Sequence, residues 1–161
     1  MRSVVTITFC AAITLWLGGL VALFLFVQVM FHTDRAVALN AAPMLFDAFE
    51  KYQLVLLAVA ILSLIAWRLM ACSTAKRWIT TMLLLAGVLA VVQSAVVSSR
   101  MQTILASGQS GGQEFRRLHG YSMMVYLSEA GLLAAAACLL PTAIRSEADS
   151  PRQTLPQTAT A

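Results

Sequence analysis

Four long stretches of this chain carry no formal charge, and few folds can house them. Between Arg2 and His32 lie 29 uncharged residues, between Lys51 and Arg68 lie 16, and between Arg77 and Arg100 lie 22. The last stretch, 27 residues between Arg117 and Arg145, is broken only by Glu129. A helix rises about 1.5 Å per residue, so about 20 apolar residues cross the roughly 30 Å core of a bilayer. The chain therefore reads as all-α, a four-helix transmembrane bundle with a short interfacial helix in loop one. The spans fall at about 4–31, 52–72, 78–99 and 118–140, within one domain over 1–144. The segment 145–161 is rich in Ser, Thr, Pro, Gln and Ala, too poor in apolar residues to bury, and is expected to be a disordered tail.

Charge supports lipid as the main partner. Only 11% of the residues are charged, against about 25% in a soluble domain. The net charge of +4 comes from basic residues paired at span ends, Lys76 with Arg77 and Arg116 with Arg117. There they reach the headgroups and fix topology. They form no basic stripe, which argues against nucleic acid as a partner. The first run, Val4–Phe31, is longer than the apolar part of a secretory signal, about 7–15 residues. It reads as an uncleaved span, although the small residues around Ala38–Ala42 have the look of a processing site. Six Lys and Arg residues fall on the side of the termini and five on the other. That slight excess predicts cytoplasmic N- and C-termini, in a bacterial inner membrane.

Within this frame, Pro43 splits loop one, and Asn40 stands where a helix cap would sit. The following segment reads as a helical lead-in to span two, lying at the interface. Trp67 and Trp78 flank the second turn as an aromatic belt would. Ser107 to Gly112 form a flexible linker by composition. Gly18 and Ala22, four residues apart, let a neighbouring helix approach closely. They offer a face for homo- or hetero-oligomeric assembly. Cys10, Cys72 and Cys138 all fall toward one membrane face, as small packing residues or, alternatively, a soft-metal thiolate site.

The sharpest constellation is in span four. His119, Ser122, Tyr126 and Glu129 fall within an arc of about 80° at helical periodicity. Glu129 lies about 16 Å past Leu118 along the helix. An acid at such depth costs about 2.5–3.5 kcal/mol on insertion scales, so this face should point into the bundle. Gln93 in span three lies near the depth of Ser122 and Tyr126 and completes a polar core. Three roles compete for Glu129: a neutral acid bonded to Ser or Gln neighbours, an ion pair with Arg68, or a proton or cation site. The polar face predicts a small intramembrane cavity for a proton, cation or small solute.

His32 and His119 are the only histidines, on the same side as Met30, Met44, Met101, Met123 and Met124. Imidazole with thioether suits copper, and two histidines suit a haem iron, so a haem- or copper-binding redox protein is the rival reading. No zinc-protease, nucleophile-elbow or phosphate-loop signature is present. The expectation is a non-enzymatic protein without a cofactor.

Several ordered pieces resemble a known family. Trp16-Leu17-Gly18-Gly19 comes first, then Ala42-Pro43-Met44-Leu45-Phe46, then Phe49-Glu50-Lys51-Tyr52. Phe115-Arg116-Arg117-Leu118-His119-Gly120-Tyr121-Ser122-Met123 opens span four. Together, over roughly residues 10–140, they resemble the transmembrane protein 205-like family of small four-span membrane proteins. The resemblance implies the architecture and no biochemical activity. Family members often carry an asparagine shortly after the last motif, where this chain has Tyr126 and Glu129. More loosely, span one is similar to that of copper-resistance D-type and haem-binding four-helix membrane proteins.

Overall fold

Each uncharged run lies within a continuous helical segment longer than the run that predicts it. The computed structural model describes residues 2–70, 74–107 and 112–149. Helix α1 spans Arg2–Thr33 and α2 spans Arg35–Met70. Helix α3 (Thr74–Val92) passes through a π-helical turn, Gln93–Ser98, into α4 (Ser99–Ala106). Helix α5 spans Gln113–Asp149. Four stretches are long and apolar enough to cross a membrane: Ser3–Thr33, Arg35–Leu69, Arg77–Leu105 and Gln113–Arg145. The outward faces carry exposed Leu25, Leu62, Val88 and Leu127, a surface that suits lipid. The protein is a multi-pass membrane protein built as an all-α bundle.

Neighbours in sequence pack side by side. Helix α1 lies along α2 and α3 along α5, and α1–α5 and α2–α3 contacts close the ring. The first hairpin turns on one residue. The Oδ1 of Asp34 accepts hydrogen bonds from the backbone N–H groups of Ala36 at 2.8 Å and Val37 at 3.2 Å. It thereby caps two N-terminal donors of α2. The predicted interfacial lead-in is helical, and it runs into span two without a break, with Pro43 inside α2. Helix α5 likewise runs through Pro141 to Asp149. The expected tail thus starts helical, and residues 150–161 lie outside the described residues.

Close approach between helices depends on glycine at two places. A Cβ on Gly19 would stand 3.0 Å from Cε2 of Phe49 and 3.2 Å from Cε1 of Tyr52, so α1 and α2 meet there. A Cβ on Gly87 would stand 2.8 Å from Cδ1 of Leu57. Gly18 and Ala22 instead point outward. Trp78 is exposed as a belt residue would be. Trp67 is not: it is buried, with its ring 5.4 Å from that of Phe9. Cys10 is half-buried and Cys138 exposed, whereas Cys72 lies outside the described residues.

Candidate functional site

A buried polar network occupies one half of the bundle core. From α5 come Ser122, Tyr126 and Glu129, all buried, with Glu129 and Tyr126 at 0% exposure. Their spacing of four and three residues sets them on the face that continues through Leu133, Ala136 and Leu140. From the π turn come Gln93, 1% exposed, and Ser98, partly buried. In an α-helix, residues five apart point about 140° away from each other. The wider π turn puts both on the inward side, and the Nε2 of Gln93 donates to the Oγ of Ser98 at 3.3 Å. The same amide donates to the Oγ of Ser122 at 2.7 Å.

Helix α2 supplies Glu50, 5% exposed, and Gln53, one turn further along. The Oε1 of Glu50 accepts hydrogen bonds from the Tyr126 hydroxyl at 3.1 Å and from the Ser98 hydroxyl. Helix α1 supplies Trp16, whose indole N–H donates to Oε1 of Glu129 at 2.6 Å. Every helix of the bundle thus contributes to one polar layer. Three phenyl rings surround the Tyr126 ring, with centroids at 6.0 Å (Phe24), 5.7 Å (Phe46) and 6.5 Å (Phe49). They fix its hydroxyl against Glu50 and wall it from lipid.

The layer has a depth gradient. Next to Glu50, Lys51 pairs with Asp47 at 2.7 Å, both exposed. Exposed charge of this kind belongs at the headgroup level. Glu129 has sixteen residues of its span on either side within Gln113–Arg145, so it sits at the centre of the helix. Tyr126 lies one turn before Glu129 on α5, and its hydroxyl donates to Glu50. The polar groups therefore run from Glu50, beside the exposed Asp47–Lys51 pair, through Tyr126 to Glu129 beside Trp16.

Several buried atoms in this layer have no hydrogen-bond partner among the described residues: Oε2 of Glu129, Oε1 of Gln93, and both amide atoms of Gln53. Such groups are costly in a packed interior unless something satisfies them. The surface grooves, one lined by Phe24 and residues of α5 and one by Thr6, Cys10 and neighbours, contain none of the network residues.

The structure brings together Gln93, Ser122, Tyr126 and Glu129 as their spacing predicts. It does not bring His119 in. His119 shares their angular sector but lies two turns beyond Tyr126, about 10 Å toward the edge. There it is exposed and stacked on Phe115 at 6.3 Å. Arg68 is exposed as well, and the partner of Glu129 is Trp16 instead. His32 is exposed at the end of α1. Met44, Met123 and Met124 also face outward. Among the described residues no three His, Cys, Asp or Glu side chains gather as a metal cluster. Sequence reasoning missed Glu50, Gln53, Ser98 and Trp16. For α2 a signal existed: Glu50, Gln53, Leu57, Ala60, Leu64 and Trp67 repeat at helical spacing, and all six are buried.

Searches of protein families, of curated proteins and of solved structures found no match to this chain.

Proposed function

We propose that this is a non-enzymatic membrane protein that takes up a proton at Glu50 and holds it near Glu129. The observation that carries this reading is the pair of buried carboxyls on either side of Tyr126, with no basic hydrogen-bond partner among the described residues. An unpaired carboxylate in such a place costs several kcal/mol. A bound proton cancels that cost, and ionisable groups inside membranes commonly mark proton relays. The donors are set accordingly. Tyr126 and Ser98 both offer O–H to Glu50, and Gln93 holds Ser98 in turn. Close packing around Tyr126 and Gln93 favours a proton over a larger solute.

Infrared difference spectra between acid and alkaline buffer test this with the full chain in lipid. The wild type should show a carboxyl band that appears on acidification. In Glu129→Gln one component should vanish, with helix content unchanged. Identical spectra for the two proteins overturn the proton reading. A wild-type band displaced by sodium at fixed pH would make the occupant a cation instead.

Kinship with the transmembrane protein 205-like family belongs to the same proposal and rests on the ordered motifs. So do a bacterial inner-membrane location and cytoplasmic termini; the orientation rests on the slight excess of basic residues. A C-terminal reporter active only outside the cytoplasm should stay silent, and its activity would reverse the orientation.

A further inference from the structure

A second feature lies outside the polar network and does not depend on it. A groove of about 710 Å³ runs along the outer surface between α1 and the first turns of α5. Phe24 forms one wall, and Gly120, Met124 and Leu127 form the floor and the other wall, with Arg116 and Arg117 at one end. Met124 and Leu127 are 67% and 70% exposed, so the groove faces the lipid rather than the core. From Arg116 to Leu127 the helix rises about 16 Å, half the hydrocarbon thickness of a bilayer. The groove is as long as the chain region of one leaflet.

Its charge is unbalanced at the edge. The nearby acid Glu114 pairs with Arg100 at 3.4 Å. Arg116 and Arg117 are exposed and have no acidic partner among the described residues. A pair of guanidiniums matches the oxygens of a phosphodiester. Gly120 sits one turn in from them. A Cβ there would meet nothing within 4 Å, so protein packing does not demand glycine at this site. What the missing side chain provides is room in the groove.

We infer that this groove binds one anionic phospholipid, its phosphate held by Arg116 and Arg117 and one acyl chain laid along Phe24, Met124 and Leu127. The bulk bilayer supplies chains to any apolar surface. What singles out this site is an acyl-length groove with two free cations at its headgroup end.

Native mass spectrometry of the full chain, with phosphatidylglycerol or phosphatidylcholine added, tests the inference. Phosphatidylglycerol should be retained about tenfold better or more, from two interfacial arginines. The double variant Arg116→Gln/Arg117→Gln should bring the two lipids to parity. Gly120→Leu should lose the adduct by filling the groove, and its melting temperature in detergent should match wild type. Equal retention by the wild type overturns the inference, as does a lipid preference that survives both variants. Inorganic phosphate that displaces the lipid at millimolar concentration would show a phosphate site without a chain-binding groove. A dimer that forms only when phosphatidylglycerol is absent would assign the groove to a second copy.

Discussion

The two halves of the bundle core are built from different chemistry. Toward the termini the core is mainly apolar, Phe9 against Trp67 with Ile13, Ala60, Leu64, Ile79, Leu83, Leu133, Ala136, Leu140 and Ala143 around them, and only the small hydroxyl residues Ser63 and Thr80 are buried beside them. Toward loops one and three it holds two acids, two glutamines, two serines and a tyrosine hydroxyl. The same four helices make both halves, so the apolar half shows that aliphatic and aromatic packing can close this bundle. Hydrogen bonds between helices in a membrane average only about 0.6 kcal/mol. The polar half therefore adds little stability for the desolvation it requires, and its unpaired oxygens make that worse. The proton site proposed above would account for that cost.

The contrast can be attacked where the halves meet. Leu133 is buried one turn beyond Glu129. Leu133→Glu places the same acid in the mainly apolar half, away from Trp16 and the Tyr126 layer, and should cost about 3–5 kcal/mol. It would be read as a large drop in melting temperature in detergent. A variant that melts like wild type would mean that the halves do not differ in what they tolerate.

A smaller effect is expected at the boundary itself. Trp16→Phe removes the donor to Glu129 and should cost about 1–3 kcal/mol, because the acid is then left unsatisfied. The double variant Trp16→Phe/Glu129→Leu removes both partners and should recover most of the loss. A double-mutant cycle measures this directly. Simple additivity of the two losses would sink the claim that the indole serves the acid.

The smallest effect separates inward from outward glycine. Gly19→Ala presses on Phe49 and Tyr52, beside the wall around Tyr126, and should cost about 1 kcal/mol. Gly18→Ala meets nothing and should stay within about 0.5 kcal/mol of wild type. The reverse ranking in thermal melts would put the α1–α2 contact on the wrong side of the helix.

How far these features were legible in the sequence depends on the length scale of the signal. The spans follow from the absence of charge over 16 to 29 residues, which local detail cannot disguise. The polar face of α5 follows from one unusual residue, Glu129, and helical geometry applied to its neighbours. Glu50 was hidden because Asp47 and Lys51 flank it and make the segment look like surface. Only the continuity of α2 through Pro43 turns Glu50 inward while Asp47 and Lys51 pair outside. Ser98 was hidden because α-helical spacing sends it away from Gln93, and no residue in Gln93–Ser98 announces a π turn. Trp16 stood out only as part of a family motif, because an indole in an apolar run gives no hint of a distant carboxyl. His119 was included by angle alone, although depth decides whether a neighbour covers it.

The π turn also changes how the chain tolerates gaps. It carries a surplus residue relative to an α-helical winding. Deleting one residue between positions 94 and 97 would let the segment rewind as ordinary helix, with Leu83, Ala90 and Ile104 keeping their inward orientation. Deleting one residue a turn earlier, in α3, has no such slack to absorb it and would swivel everything downstream by about 100°. Shortened variants of this protein should therefore survive at one place in the third span and fail elsewhere along it.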